Sequence, residues 1–414
     1  MVITHQNKTI MKKVCYPLGL LLVSLALFLA CVDDDFWKTI IPETDEEATR
    51  SQINGYVFKP AVVPATEERV QQLRVPERFT VEKFAEDLGK PRIIKASDAG
   101  HIYASDREAG IVMLLEDTDG DGTADRKETV ATIEQAHGLA IHDDKLYIVS
   151  VREIYSAEIN PDGTLTEPLL LTDRLPDGGQ HPNRTIAFGP GGKMYVSVGS
   201  TCNACPESNP MNATILQANA DGSALKIFAK GLRNTIGFDW HPETGELWGM
   251  DHGIDWLGDE EQKEELNLLV EGADYGWPYI YDDGKYNPSD RPPGDTTYQE
   301  YLAKTNLPEL LYTAHAAPLE MVFYTGTQFP ETYQGDAFVA FRGSWNRSTP
   351  VGYKVARLRF EDGKPVGFED FLTGFLVNNN TAHFARLVGL AVLPDGSLLV
   401  SDDTNGVIYR IRYQ

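Results

Sequence analysis

Three polar signatures within residues 178–278 carry residue types that could do chemistry. They are His181-Pro182-Asn183-Arg184, Arg233-Asn234 and the acidic loop from Asp251 to Glu261. A histidine can act as a base near neutral pH, and arginines bind planar carboxylates through paired hydrogen bonds. Carboxylates and backbone carbonyls are the oxygen ligands that hard cations such as Ca²⁺ prefer. The combination predicts a site for an anionic ligand, a metal ion and a proton-transfer step.

Each of these residues, taken alone, has a structural alternative. A single histidine is more often structural than catalytic, and a single arginine more often forms a surface ion pair. His181, however, follows the glycine-rich Gly178-Gly179-Gln180 and precedes Arg184. Further cations in this acidic chain are Arg342, Arg347, Lys354 and Arg386. Trp345 lies between two of them and offers an aromatic face for stacking.

A second acidic segment, Asp117 to Glu128, matches the twelve-residue calcium loop. Its acids at positions 1, 3, 5, 9 and 12 are Asp117, Asp119, Asp121, Asp125 and Glu128, with Gly122 at position 6. The flanking residues 110–115 and 128–133 alternate as strands do, so we expect the loop to cap a hairpin. We interpret the five acids as candidate ligands of a structural calcium ion. The alternative is a solvated acidic turn.

Short strands must position these side chains. From about Phe79 onward, six copies recur of an apolar strand, a Pro/Asp/Gly turn and a strand of the Leu-Tyr-Val-Ser type. Alternating apolar residues and short turns such as Gly191-Gly192 favour β-hairpins. Four-stranded units repeated radially form a β-propeller. The sequence therefore predicts an all-β, six-bladed β-propeller, whose first strand, Phe79 to Ala85, completes the last blade, Leu387 to Tyr413.

Four candidate residues share one position within the repeats. His137, His181, Arg233 and Arg386 each lie one to a few residues before a predicted strand. In a propeller such loops surround one end of the central channel, although they are distant in sequence. The shared position therefore predicts that these side chains converge on one site.

The N-terminal residues predict export and a lipid anchor. Met11-Lys12-Lys13 gives a basic start, and the apolar run Leu18 to Ala30 is too short to span a bilayer comfortably. Ala30 before Cys31 resembles a bacterial lipobox. We therefore predict a signal peptide over residues 1–30, an acidic tether over 31–75 and a catalytic propeller over 76–414. The expected location is the periplasm or the cell surface, and the alternative is an uncleaved anchor or ordinary secretion.

Charge and cysteine content limit the partners. The net charge of −24 repels nucleic acid and anionic membranes, so we expect no nucleic-acid partner and membrane contact only through the lipid anchor. Cys202 and Cys205 predict a local disulfide in an exported protein, with a redox-active disulfide as the alternative. Pro206 stands where a haem attachment motif needs histidine. An oxidoreductase of this sequence would therefore need a separate electron acceptor, a cytochrome or a quinone.

At these residues the chain resembles the glucose/sorbosone dehydrogenase family, whose enzymes depend on pyrroloquinoline quinone (PQQ). The similarity is closer to the sorbosone dehydrogenase-like branch than to the soluble glucose dehydrogenases. The matching segments, which span roughly residues 75–412, are His181-Pro-Asn-Arg184, Gly231-Leu-Arg233-Asn234, Asp251 to Glu261, Asp274-Tyr-Gly-Trp-Pro278, His315-Ala-Ala-Pro318 and the terminal VGLAVLPDGSLLVSDDTNGVIYRI.

The resemblance implies a PQQ- and Ca²⁺-dependent enzyme that oxidises a sugar or aldose-type hydroxyl or aldehyde. His181 matches the histidine that takes the hydroxyl proton while a hydride passes to the quinone. The carbonyls of Gly253 and Ile254 match the ligands of the calcium ion. The matches to cofactor-binding positions are Arg233, Asn234, Ala317, Arg342 and Arg386. The further pocket residues that we expect are His137, Arg184, His315 and Trp345.

Two other functions stay open on the sequence. A calcium-dependent propeller hydrolase, such as a lactonase, would hold its metal with carboxylates and Asn at the channel mouth. A non-catalytic propeller that binds a glycan or a protein would scatter its arginines over the surface. His315 and the Cys202-Cys205 insert also differ from the glucose-oxidising enzymes, so the resemblance does not specify the sugar.

Overall fold

The computed structural model describes residues 55–414, and these residues are nearly all β. Within this range the helices are short: α1 (Glu67–Val70), α2 (Tyr298–Leu302) and one 3₁₀ turn (Glu331–Tyr333). No helix among the described residues has the length and apolar character needed to cross a membrane. The predicted signal peptide and residues 31–54 of the predicted tether lie outside the described residues.

Six antiparallel sheets of four strands carry the fold. The first consists of β3 (Ile94–Ala96), β4 (Ile102–Asp106), β5 (Ile111–Glu116) and β6 (Arg126–Thr132). The second consists of β7 (Gly138–His142), β8 (Lys145–Val149), β9 (Ile154–Glu158) and β10 (Leu169–Thr172). The third consists of β11 (Ile186–Phe188), β12 (Met194–Val198), β13 (Thr214–Ala218) and β14 (Lys226–Lys230).

The other three sheets follow the same plan. The fourth consists of β15 (Gly237–Trp240), β16 (Leu247–Asp251), β17 (Glu264–Leu268) and β20 (Leu310–Tyr312). The fifth consists of β21 (Pro318–Phe323), β22 (Ala337–Phe341), β23 (Lys354–Glu361) and β24 (Lys364–Leu372). The sixth consists of β27 (Leu387–Val392), β28 (Leu398–Asp402), β29 (Val407–Tyr413) and β2 (Phe79–Ala85). Two small sheets add β18 (Ile280–Tyr281) with β19 (Lys285–Tyr286), and β1 (Ala61–Val62) with β26 (Ala382–His383) and β25 (Leu376–Val377).

The sixth sheet joins the two ends of the described chain. Strand β2 pairs antiparallel with β29, from Phe79 opposite Tyr413 to Ala85 opposite Ile408. This pairing confirms the prediction that the first strand completes the last four-stranded unit. Backbone pairing thus connects residue 79 with residue 413, and buried apolar side chains pack around the paired strands.

The first strands of neighbouring sheets contact one another in chain order. Strand β3 contacts β7, β7 contacts β11, β15 contacts β21, β21 contacts β27, and β27 contacts β3. The third and fourth sheets meet where the ring of Tyr195 packs edge-on against Trp240, with centroids 5.0 Å apart. A Cβ on Gly237 would lie 2.1 Å from the carbonyl oxygen of Leu319, so glycine allows β15 to approach β21.

The described part of the predicted tether packs onto the sheets. Strand β1 pairs in parallel with β26, and the backbone N–H of Arg74 donates to the carbonyl of Thr373 at 2.8 Å. Val70 and Leu73 are buried in the apolar core beside the sixth sheet. Contacts with the sheets therefore begin upstream of residue 76, where the sequence places the domain boundary.

Candidate functional site

Loops that precede the first strands of the sheets, together with loops that follow their second strands, line a cavity of about 460 Å³. The predicted site residues that it brings together are His181, Arg233, Asn234, Gly253, His315, Ala317, Arg342, Trp345 and Arg386. A second cavity of about 750 Å³ shares Arg342, Trp345 and Arg386 with the first and is bordered by Lys59. The convergence that the repeat positions predict is therefore present for His181, Arg233 and Arg386.

The hydrogen bonds of His181 determine which ring nitrogen can accept a proton. Its Nδ1 lies 2.8 Å from Ser200 Oγ and 3.0 Å from the Ser200 carbonyl oxygen. Ser200 Oγ donates its hydrogen to the Cys202 carbonyl at 2.8 Å, so Nδ1–H must donate to Ser200. Nε2 is thus left with the lone pair. Burial lowers the pKa of His181 to about 3, with help from the positive charge of Arg233, so the ring is neutral at physiological pH.

A buried arginine lies beside this histidine. The side chain of Arg233 is 2 % exposed. Its Nε donates to the carbonyl oxygen of Asn203 at 2.8 Å, and its Nη2 contacts Asn203 Oδ1 at 2.7 Å and Asp255 Oδ2 at 3.2 Å. The carboxylate of Asp251 accepts the backbone N–H groups of Arg233 and Asn234, each at 2.8 Å. Asp251 at the end of β16 therefore fixes the position of the backbone at Arg233 and Asn234.

The side chain of Asn234 presents an unused acceptor. Its buried Oδ1 has no hydrogen-bond partner among the described residues. Glycine at position 199 lets the backbone there come close to His181 and Asn234. A Cβ on Gly199 would lie 2.6 Å from His181 Cβ and 2.7 Å from Asn234 Oδ1. His181 and Asn234 therefore both lie against Gly199, and both line the cavity.

Three arginines surround one aspartate on the other side of the cavity. Arg342 Nη2 donates to both oxygens of Asp403 at 2.9 Å, and Arg92 Nη1 donates to Oδ2 at 2.5 Å. Arg386 Nη2 donates instead to the Gly343 carbonyl at 2.7 Å. One carboxylate cannot neutralise three guanidinium groups, so an excess of positive charge faces the cavity. Burial and the charge of Arg342 lower the pKa of Arg386 to about 10.

Glu264 links the backbones of Gly253, a predicted metal ligand, and Ala317, a predicted cofactor contact. The sequence did not single it out. Its Oε2 accepts the N–H of Gly253 at 3.0 Å, and its Oε1 accepts the N–H of Ala317 at 2.8 Å. Burial raises the pKa of Glu264 to about 8. The only signal in the sequence is that Glu264 directly precedes Glu265-Leu-Asn267. The cavity reaches Gly253, whereas Ile254 packs behind it with Leu257 and Tyr281.

His137 and Arg184 lie behind the cavity wall. His137 Nδ1 contacts the Arg184 carbonyl at 2.8 Å, and Arg92 Nε donates to His137 Nε2 at 3.2 Å, so both ring nitrogens are engaged. The guanidinium of Arg184 is fully buried and donates to four backbone carbonyls, those of Val151, Pro176, Asp177 and His181. The structure therefore places these two residues as supports of Arg92 and of the His181 loop, not as lining residues.

His315 and Trp345 border the cavity in different ways. His315 Nε2 contacts the Gly258 carbonyl at 2.7 Å, and Asn346 Nδ2 contacts His315 Nδ1 at 3.2 Å. His315 thus holds the Asp251–Glu261 loop directly through Nε2, and its Nδ1 contacts Asn346, whose Nδ2 donates to the Asp255 carbonyl at 2.7 Å. The half-buried ring of Trp345 packs edge-on against Trp256, with centroids 5.2 Å apart. Trp345 therefore presents an aromatic surface where the two cavities join.

The predicted calcium loop connects β5 and β6 and is separate from the cavity. Asp117, Asp119 and Asp121 bring carboxylate oxygens within 4.8 Å of one another. Asp125 instead accepts hydrogen bonds from the hydroxyl of Thr118 at 2.7 and 2.9 Å, and Glu128 pairs with Arg126 at 2.7 Å. The hairpin is confirmed, while the structure brings together the first three acids only.

Cys202 and Cys205 form the predicted local disulfide, with their Cα atoms 6.1 Å apart. The cross-linked loop lies at the edge of the cavity, because its Asn203 holds the guanidinium of Arg233. The sequence predicted the disulfide, whereas the contact of its loop with Arg233 arises only in the folded structure.

Comparisons with known proteins identify relatives of this chain. The profile of the Glucose / Sorbosone dehydrogenase family matches residues 148–410. An uncharacterized protein of Borreliella burgdorferi is 32% identical over 375 residues, which cover 86% of this chain and 94% of that protein. A pyrroloquinoline quinone-dependent sugar dehydrogenase of Hypocrea jecorina is 24% identical, covering 78% of this chain and 85% of that one.

A solved structure shares the fold. It is the holo form of the pyranose dehydrogenase PQQ domain from Coprinopsis cinerea, which superposes with a TM-score of 0.71 at 22% identity. The match covers 86% of this chain and 100% of that domain. The family profile matches more than half of the chain and shows that the chain belongs to the Glucose / Sorbosone dehydrogenase family.

Proposed function

We propose that this chain is an exported quinoprotein sugar dehydrogenase that binds PQQ and Ca²⁺. It oxidises a sugar or aldose-type hydroxyl or aldehyde by hydride transfer to the quinone. The observation that carries the proposal is the convergence of neutral His181 with Arg233, Arg342 and Arg386 on one cavity beside Gly253. The PQQ-dependent sugar dehydrogenase among its relatives supports the same chemistry.

The residues present fit an anionic cofactor. PQQ carries three carboxylates, and the excess positive charge around Asp403 is suited to binding them. Arg342 Nε and Asn234 Oδ1 are buried and have no hydrogen-bond partner among the described residues. A buried polar group without a partner is unfavourable, so a ligand with acceptors for Arg342 and a donor for Asn234 would stabilise the site.

The metal would be held by the backbone of the Gly253 loop. Among the described residues, the carbonyl oxygens of Gly253 and Ile254 accept no backbone N–H, whereas the N–H of Gly253 is fixed by Glu264. Carbonyl ligands leave the charge of a bound Ca²⁺ available for catalysis. The loop is therefore a suitable calcium site beside the arginines.

Bound PQQ would supply an ortho-quinone that accepts a hydride, and bound Ca²⁺ would polarise it as a Lewis acid. The protein itself supplies the base. His181 Nε2 takes the proton of the substrate hydroxyl, while Nδ1–H stays bonded to Ser200 and fixes the ring. Burial, helped by the nearby positive charge of Arg233, lowers the pKa of the imidazole and keeps it unprotonated until the substrate binds.

The architecture and location belong to the same proposal. We propose that the six four-stranded sheets are the blades of a six-bladed propeller, with the cavity at one end of its channel. The contacts between successive first strands support this arrangement. We further propose export and lipid anchoring at Cys31, on the strength of the sequence, and transfer of electrons to a separate cytochrome or quinone.

The hydrolase hypothesis has less support. It requires a metal held by side-chain carboxylates at the cavity. Among the described residues, the one group of three or more His, Cys, Asp or Glu side chains close enough to hold an ion is Asp117, Asp119 and Asp121, and it does not line the cavity. A neutral lactone also gives no reason for several arginines.

The proposal is tested by titrating the apo-protein with PQQ in the presence of Ca²⁺ and following the absorbance change. Dye reduction is then measured with a panel of sugars and alcohols. We expect saturable binding and activity with at least one sugar. Replacing Arg386, one of the arginines of the cavity, by alanine should weaken PQQ binding. The matched control is Arg359→Ala, which removes a surface arginine paired with Glu361. Absence of both a cofactor-dependent spectrum and dye reduction would overturn the proposal.

A further inference from the structure

The four-residue loop closed by the Cys202–Cys205 disulfide contacts the buried arginine of the site. The backbone carbonyl of Asn203 accepts Arg233 Nε at 2.8 Å, and Asn203 Oδ1 accepts Arg233 Nη2 at 2.7 Å. The same Oδ1 accepts the backbone N–H of Asp255 at 3.0 Å. One asparagine therefore joins the guanidinium group to the loop that follows the predicted metal ligands.

The loop also contacts Ser200, which bonds to His181, and the apolar side chain of Ile254 behind the Gly253 loop. The carbonyl of Cys202 accepts the hydroxyl hydrogen of Ser200 at 2.8 Å, and this hydroxyl contacts His181 Nδ1 at 2.8 Å. The side chain of Ala204 packs against the small apolar cluster that contains Ile254. Three separate parts of the cavity wall thus depend on four cross-linked residues.

We propose that the disulfide-closed loop 202–205 is the positioning element for Arg233, with Asn203 as the positioning residue. The inference rests on the proposed function, because it assigns a role in cofactor binding to Arg233. Asn203 engages Nε and Nη2 and sets the plane of the guanidinium group. Nη1 takes part in none of these bonds and is the nitrogen that this orientation leaves for an anionic ligand.

The physical basis is the small number of partners that Arg233 has. Its side chain is 2 % exposed, and among residues 55–414 the partners of its guanidinium group are Asn203 and Asp255. A buried charge that loses a hydrogen-bonded partner is strongly disfavoured. The cross-link restricts the conformations open to Asn203, so the loop loses less entropy when it holds Arg233.

The disulfide is open to reagents in solution, because both cysteines are partly exposed. A dithiol such as dithiothreitol transfers two electrons and two protons to it, which yields two cysteine thiols and the cyclic disulfide of the reagent. Reduction of the folded protein therefore removes the cross-link without changing a residue. It complements the Cys202→Ser/Cys205→Ser double variant.

Two substitutions test the Oδ1 acceptor of Asn203 independently of the rest of the loop. Asn203→Ala removes the Oδ1 acceptor, whereas Asn203→Asp keeps an oxygen there and should rescue the bond to Arg233. The matched control is Asn209→Ala, an exposed asparagine shortly after the loop whose Oδ1 accepts the N–H of Met211.

The first measurement uses the apo-protein labelled with ¹⁵N-arginine. The Nε–H signal of Arg233, assigned by its absence in Arg233→Lys, should exchange slowly with water in the wild type, Asn203→Asp and Asn209→Ala. We expect exchange at least ~10-fold faster in Asn203→Ala, in the double cysteine variant and after reduction. Unchanged exchange in all three would overturn the inference, whether or not PQQ binds.

The second measurement is PQQ binding with Ca²⁺ by absorbance titration. We expect the Kd to rise at least ~10-fold in Asn203→Ala and to stay within about 3-fold of wild type in Asn203→Asp. An unchanged Kd in Asn203→Ala with faster Nε–H exchange would overturn the role in ligand binding. Failure of the wild type itself to bind PQQ would refute the proposed function instead, since the exchange data judge the loop independently.

Discussion

His181 and Ser200 are joined by two contacts, from Nδ1 to Oγ at 2.8 Å and to the carbonyl oxygen at 3.0 Å. The contacts fix the tautomer of the ring and leave Nε2 as the acceptor. The histidine is thus oriented and neutral before any ligand arrives, as a general base should be. Several expected outcomes depend on this relationship.

Replacing His181 by alanine should reduce turnover and leave cofactor binding nearly intact. In the proposed mechanism the imidazole accepts a proton but holds no part of the arginine cluster, and a general base contributes about 10²- to 10⁴-fold. The kcat of dye reduction and the Kd for PQQ are the quantities to measure. The control is His142→Ala, a histidine that stacks on Phe188. Wild-type turnover in His181→Ala would remove this residue from the mechanism.

In the apo-protein, the imidazole of His181 should stay neutral at pH values well below those at which a histidine normally becomes protonated. Burial lowers its pKa to about 3 from a normal value of 6.5. The unfolded chain therefore binds the proton more tightly, so the stability that His181 contributes is full above about pH 6.5 and is lost as the pH falls towards 3. An NMR titration of histidine signals, assigned with His181→Ala, measures this pKa. A titration midpoint near 6.5 would contradict the prediction.

Arginine 342 should not be replaceable by lysine. Its Nη2 donates to both oxygens of Asp403, and its Nε is free for a ligand, which a lysine ammonium group cannot reproduce. We expect Arg342→Lys and Arg342→Ala each to raise the Kd for PQQ by at least ~10-fold. Calorimetric titration with Ca²⁺ present measures it. Equal binding by Arg342→Lys and wild type would mean that only the charge matters.

The substitution Glu264→Gln should destabilise the fold around the cavity. Both carboxyl oxygens accept backbone N–H groups, those of Gly253 and Ala317, and the amide nitrogen of glutamine cannot accept either. One buried N–H loses its partner, which typically costs about 1–3 kcal/mol. Urea unfolding measures the difference, with Glu309→Gln at an exposed position as the control. A loss no larger than that of the control would show that Glu264 is not needed there.

Of the two candidate calcium sites, only the Gly253 loop should affect PQQ binding. Chelation of Ca²⁺ is expected to weaken PQQ binding in the wild type, because the Gly253 loop lines the cavity. The variant Asp119→Ala/Asp121→Ala alters the acidic hairpin elsewhere, so it should bind PQQ as the wild type does and lose affinity equally on chelation. Loss of PQQ binding in this variant before chelation would connect the hairpin to the cavity.

Much of the fold follows from local patterns that the structure confirms. The alternation of apolar residues and the short turns predicted the strands, and six four-stranded sheets carry them. The pairing of Phe79 with Tyr413 was also predictable, because a repeat that begins with a lone strand needs its missing partners at the other end. The packing of residues 61–75 was missed, since a polar composition with scattered prolines does not reveal which apolar side chains find a core.

The site was predictable in its chemistry but not in its pairings. Arg92 and Asp403, which were not singled out, meet across 311 positions of sequence. Glu264 carries no motif of its own and matters because two backbone N–H groups from different loops point at it. Such partners arise only when loops of several sheets meet, so no spacing rule could identify them.

His137 and His181 show where the limit lies. Each precedes the first strand of a repeat, and from that position the sequence alone predicted that both side chains converge on one site. The tertiary structure decided their roles, because Arg92, 45 positions away, donates to His137 Nε2, whereas Nε2 of His181 keeps its lone pair. A histidine whose two nitrogens are bonded within the fold can only support it, and one with a free nitrogen at a cavity can accept a proton.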